Sequence, residues 1–231
     1  TGAYSTIAYG THPYQLRNFV GGYEDVGTLA HESGHSMHSY LSDQHQPYVT
    51  HDYATFVAEV ASTLNENLLF HSMLADAKDD DTRMFLLGSY LENLRTTLFR
   101  QVMFAEFELK IHELVESGET LTGDNLNALY LGIVRKYYGH DQGVCRVDEL
   151  YAAEWAFIPH FYYDFYVFQY ATSQVASASI ANAMRAELAK SPATTGAEQT
   201  KSVSPTKVRD AYLTMLSSGS SKYPIDLLKD A

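Results

Sequence analysis

The sequence predicts a mainly α-helical domain with a small β-strand region near the N-terminus. Three observations point there. Apolar residues recur at three-to-four spacing through most of the chain. Acidic or hydroxyl residues stand where helices should start, and Gly118 stands where one should stop. Only residues 1–22, rich in Gly, Thr and Tyr, look extended.

Within that extended region, Pro13 to Val20 partly alternates polar and apolar residues, which suits a short strand, and Gly21-Gly22 breaks it. A helix is expected from Glu24, whose charge and that of Asp25 favour the first turn, fading near Asp43. Val26, Leu29, Met37 and Leu41 share an apolar flank of it. After a loop containing Pro47, Asp52 is the expected cap of a second helix through Phe56, Val60, Leu64 and Leu68. Asp79-Asp80-Asp81 opens a third, very long helix ending at Gly118. Thr122 caps a fourth that ends near Gly139. Residues 148–190, aromatic and then alanine-rich, read as a helical segment interrupted at Pro159. Residues 191–203 form a polar loop, and Ser204-Pro205 begins another helix, with Ser as cap and Pro at its first position. No repeat or linker divides residues 1–231, so a single domain is expected.

Composition narrows the function. A net charge of -12 leaves no basic stripe to neutralise phosphates, which argues against a nucleic-acid partner. One cysteine, Cys145, excludes an intramolecular disulfide and suits a reducing compartment, so a cytoplasmic location is expected. No apolar run approaches a membrane span.

His31-Glu32-Ser33-Gly34-His35 carries the chemistry. Histidines four apart on a helix project from one face about a turn apart, where one zinc ion can bridge them. Glu32, on the neighbouring side of that turn, can reach a water on the metal as a general base without ligating. Gly34 costs a helix about 1 kcal/mol relative to Ala, so something is expected to approach the backbone there. A third ligand is still needed. A third His six residues after His35 is absent, since that position is Leu41. His38 points beyond the metal and suits packing or hydrogen bonding behind the ligands. A carboxylate from another helix remains. Glu59 is the candidate, a charge amid Phe56-Val57-Ala58 and Val60-Ala61, where unpaired burial would cost several kcal/mol. Glu66, two turns on, could hydrogen-bond a ligand or substrate, or simply face solvent. Hydrolysis also needs donors for the developing oxyanion. At helical spacing Tyr163, Tyr166 and Tyr170 place three phenols on one face, with His160 a turn earlier. A packed aromatic helix explains the same spacing.

Together, Thr28 to Ser39, Phe56 to Glu66 and the His160 to Tyr170 run resemble the thimet-oligopeptidase-like (M3) zinc peptidases, within them the oligoendopeptidase F branch. The Gly10-Thr11-His12-Pro13-Tyr14 and Gly219 regions fit as well. The resemblance implies a multi-helical zincin-type catalytic domain with its site deep in a channel that admits short peptides. It implies one zinc ion held by His31, His35 and Glu59, and Glu32 as catalytic base. It also implies that His160, Tyr163, Tyr166 and Tyr170 bind substrate and polarise the scissile carbonyl, with Tyr170 best in register through Ser173-Gln174-Val175. The stretch from Tyr14 to Val20 would line the cleft and pair with a peptide backbone. Family members are longer and carry an N-terminal helical half, so this chain is expected to be a C-terminal catalytic portion with that half as a partner. The expected activity is cleavage of internal bonds in short peptides. A dipeptide-releasing carboxypeptidase of the same family is the alternative, as is a non-catalytic helical peptide-binding module. The latter has no use for Glu32.

Overall fold

A computed structural model describes residues 2–190 and 206–231. Two short strands, β1 (Tyr4–Thr6) and β2 (Tyr14–Leu16), pair antiparallel with Ser5 opposite Gln15. The helices are α1 (Tyr23–His45), α2 (Thr55–Asp76), α3 (Asp80–Leu94), α4 (Arg100–Glu116), α5 (Gly123–Tyr137), α6 (Phe168–Lys190), α7 (Lys207–Leu216) and α8 (Pro224–Asp230). The chain is thus mainly α-helical, with one small two-stranded sheet near its start. It divides into two compact units, Thr1–Leu86 with Thr172–Ala231, and Leu87–Ala171.

In the first unit, Val60, Ala61 and Leu64 of α2 are buried with Ile180 and Met184 of α6 and with Tyr212, Met215 and Leu216 of α7. Each large apolar side chain so buried contributes roughly 1.5–3 kcal/mol. The inward face of α1 is different. Its buried residues are Glu32, Gly34, His38, Ser42 and Asp43, while Val26, Leu29 and Met37 are exposed. The expected apolar flank therefore faces outward, and only Leu41 packs against the core. Two of the inward polar residues bond to loops. Asp43 Oδ2 accepts the Gly10 N–H at 2.8 Å and Ser42 donates to the His51 carbonyl. The His38 ring stacks on Tyr53 with centroids 3.5 Å apart. Gly219, at φ +49°, closes over this loop: a Cβ there would fall 2.0 Å from the Thr50 carbonyl oxygen. Asp52 does not cap α2. Ala54 stands at that position, and Asp52 accepts the N–H of Tyr53 instead.

In the second unit, Met103, Phe104 and Phe107 of α4 pack with Tyr130, Ile133 and Val134 of α5 and with Val167. The very long helix expected from the aspartate run to Gly118 is interrupted by a π-helical turn, Arg95–Phe99. There the Thr96 hydroxyl bonds the Glu92 and Asn93 carbonyls at 2.9 and 3.1 Å. Such back-bonding competes with the regular backbone ladder. Gly118, at φ +88°, ends α4, and Thr122 caps α5 in a capping box with Asn125. The aromatic segment departs furthest from expectation. It forms 3₁₀ stretches at Glu149–Phe157 and Pro159–Tyr162, with the break at Pro159, and is irregular from Tyr163 to Val167. A run of aromatic residues has modest helix propensity, and Pro159 also pushes Ile158 into an extended conformation.

The polar loop at 191–203 and the Ser204-Pro205 helix start lie outside the described residues. The helix that follows begins with Thr206 as cap, its hydroxyl accepting the Arg209 N–H at 3.2 Å. Among the described residues no helix is long and apolar enough to cross a membrane.

Candidate active site

The site begins with the contact between α1 and α2. A Cβ on Gly34 would lie 2.5 Å from the Ala61 carbonyl oxygen and 2.6 Å from Ser62 Cα. Only glycine lets the two backbones meet there, which is the close approach its place in the helix implied. Asn65 adds a second tie by donating to the Ala30 carbonyl at 3.1 Å. This contact delivers Glu59 of α2 to the two histidines of α1.

The three side chains converge. His31 Nε2 and His35 Nε2 are 3.2 Å apart, and Glu59 Oε2 lies 3.3 Å from the first and 3.5 Å from the second. A tetrahedral ion with ligands at about 2.0–2.2 Å requires ligand atoms roughly 3.3–3.6 Å apart, so these separations fit a zinc-sized ion. Among the described residues, this is the group of histidines and carboxylates that could hold a metal. The donor set, two imidazole nitrogens and one carboxylate oxygen, also suits zinc.

Groups behind the ligands hold them in place. Glu66 Oε1 lies 2.5 Å from His31 Nδ1, so the carboxylate left open between site and surface grips one of the candidate ligands. Ser62 donates to Glu59 Oε2 at 2.8 Å. Burial lowers the His31 pKa, but its bonds to Glu59 and Glu66 outweigh that and push it up to about 10. Burial likewise raises the Glu59 pKa, and the two histidines more than reverse it, holding its carboxyl far below the usual range. His38 is buried against Tyr53 and does not join the group. Burial, reinforced by the charge of His35, pushes its pKa down to about 3.

Glu32 is 5% exposed, and its Oε2 is buried without a hydrogen-bond partner. An orphaned buried carboxylate oxygen on the residue that follows His31 fits an occupant that brings a positive charge or a proton to share. Serine 36, one residue past His35, accepts from Gln15 Nε2 at 2.7 Å and meets Ser5 Oγ at 2.9 Å. Both strands of the hairpin are thereby pinned to the helix that carries the histidines. Sequence reasoning passed over Ser62 and Ser36, which have no spacing signal of their own.

The second unit gathers the later candidates by an unexpected route. Tyr163 and Tyr166 are not on a helix, yet their rings cluster around His160 with that of Tyr170. The His160 centroid lies 6.4 Å from Tyr163, 5.7 Å from Tyr166 and 6.4 Å from Tyr170. The Tyr166 and Tyr170 hydroxyls are 2.9 Å apart. The expected one-faced helical row is thus replaced by a turn that folds Tyr163 and Tyr166 back toward the start of α6.

Two helix-borne histidines a turn apart, with a carboxylate from the neighbouring helix, define a candidate metal centre of the His-Glu-x-x-His class. The chain belongs to peptidase family M3, whose family model matches residues 1–231. Oligopeptidase PepF of Bacillus subtilis (strain 168) is 44% identical over 230 residues, covering 100% of this chain and 31% of that protein. An oligoendopeptidase F homolog of Lactococcus lactis subsp. lactis (strain IL1403) is 45% identical, covering 100% and 35%. Among solved structures, oligoendopeptidase-F from Enterococcus faecium is 36% identical with a TM-score of 0.68, covering 90% of this chain and 34% of that one. A crystal structure from Chlamydophila abortus reaches a TM-score of 0.81 at 40% identity, covering 99% and 35%. The chain therefore spans about a third of the length of the relatives it matches.

Proposed function

We propose that this chain is the catalytic portion of a zinc-dependent endopeptidase that hydrolyses internal bonds of short peptides. The observation that carries the reading is the convergence of His31, His35 and Glu59 at 3.2–3.5 Å, with Glu32, next to His31 in the chain, buried and its Oε2 unpaired. Membership of family M3, and the oligopeptidase and oligoendopeptidase names of the relatives, support peptides as the substrate class.

His31, His35 and Glu59 would hold the metal, one ion per chain. Zinc, when bound, supplies Lewis acidity that acidifies a water and polarises a carbonyl. Glu32 takes the proton of the attacking water and returns it to the leaving amine. Tyr170, with Tyr163, Tyr166 and His160, donates to the oxyanion. β2 offers backbone groups to an extended peptide, and Ser36 keeps that strand fixed to α1.

Glu32→Gln keeps the size and removes the base. It is expected to retain zinc, measured by elemental analysis, and to lose cleavage of an internally quenched peptide. Cleavage at an undiminished rate would refute the base assignment. Tyr170→Phe is expected to lower turnover roughly a hundredfold with zinc content unchanged.

A further inference from the structure

Phe165 sits at φ +52°, the one non-glycine residue with positive φ among the described residues. A bulky side chain rarely adopts this conformation, so its surroundings must hold it there. It lies between Tyr163 and Tyr166 and reverses the chain that carries them.

What holds it comes from α4. Glu108 is 1% exposed, a carboxylate inside the core of the second unit, and its Oε1 accepts the Phe165 N–H at 2.8 Å. One turn on, the His112 ring lies 4.5 Å from that of Phe165, and His112 Nε2 is 3.6 Å from Asp164 Oδ1. His112 Nδ1 is in turn fixed on the Glu108 carbonyl at 2.8 Å. A buried carboxylate is costly to keep unless it satisfies a specific donor. Here that donor is the backbone of the strained turn. Burial raises the Glu108 pKa, opposed by the Phe165 bond and His112.

We propose that Glu108 is a positioning residue for the tyrosine cluster: by accepting the Phe165 N–H it holds the reversed turn that sets the Tyr163 and Tyr166 phenols beside His160 and Tyr170. The role rests on the zinc-peptidase reading for its effect on turnover, but not for the contact itself. Glu108 touches no substrate. It acts through the turn, so the length of its side chain and the presence of an acceptor matter more than its charge.

The test uses the full-length, zinc-loaded protein. Glu108→Gln keeps an acceptor at the same reach and is expected to keep kcat within about threefold, whereas Glu108→Ala lowers kcat on the order of tenfold or more at unchanged zinc content. Glu108→Asp keeps the charge but shortens the reach. It is expected to behave like the alanine variant, and it carries the comparison if that variant does not fold. Hydrogen exchange, read by mass spectrometry on peptides covering residues 160–167, should be slow in wild type and Glu108→Gln and fast in Glu108→Asp. Wild-type kcat in Glu108→Asp, or fast exchange of this segment in wild type, would overturn the proposal. A wild-type protein that cleaves no peptide would sink the peptidase reading instead, and the exchange comparison would still decide the contact.

Discussion

Glu66 holds His31 by the nitrogen that faces away from the convergence point, 2.5 Å from Nδ1. That bond fixes the ring's tautomer and leaves Nε2 turned toward His35 and Glu59. Glu66→Ala is expected to weaken zinc binding by roughly tenfold to a hundredfold, measured by competition with a chromogenic chelator. An unchanged affinity would remove Glu66 from the site. The same charges shape the metal-free protein. His31 titrates at about 10 in the fold against 6.5 ordinarily, so its stabilising pairing is complete below 6.5 and is lost as pH rises toward 10. The Glu59 carboxyl is depressed from 4.5, so its contribution is complete above 4.5 and is lost as pH falls below that. Chelated protein should therefore resist urea best between pH 4.5 and 6.5 as far as this pair is concerned, and a His31→Ala, Glu59→Ala double variant should lose that plateau. The grouping of His31, His35 and Glu59 was legible because their spacing and isolation among apolar residues are local signals. Glu66 stayed open because a carboxylate two turns along a helix reads equally well as surface. Glu108 gave no signal at all: its partner, the Phe165 N–H, is 57 residues away.

Helices were legible where a local rule governs them. Thr122 and the aspartates at 79–81 mark starts, and Gly118 marks a stop, because capping chemistry is written within a few residues. The outward-facing apolar flank of α1 was not legible, since the inward Asp43 and Ser42 bond to loops distant in sequence, at Gly10 and His51. Nor was the π-turn at Arg95–Phe99, where the Thr96 hydroxyl bonds the Glu92 carbonyl. The packing of α1 on α2 makes its own prediction. Gly34→Ala places a methyl 2.5 Å from a backbone oxygen that no rotamer can move. It should destabilise the fold by about 1–3 kcal/mol in urea unfolding and weaken zinc binding, although alanine favours helices. A gain in stability would show that the two helices do not meet as described.

Each of the two units has its own buried core, and all three candidate ligands belong to the first. An ion that binds only the folded chain stabilises it by about 4 kcal/mol at a thousandfold excess over its dissociation constant. Chelation is therefore expected to speed hydrogen exchange in α1 and α2 while leaving α4 and α5 unchanged. A uniform rise across both units would contradict the assignment of the ligands to one core. The net charge of -12 and the single cysteine framed the molecule from the outset, but neither pointed to a division at Leu86 and Leu87. Two cores are a property of contacts, and no linker composition announces them. Peptide groups are the same in every protein, so the span between α1 and α2 at Gly34 is measured out in main-chain atoms rather than side chains. Mutational drift in the surrounding core can change what fills the space around these helices without rescaling the distance from histidine to glutamate.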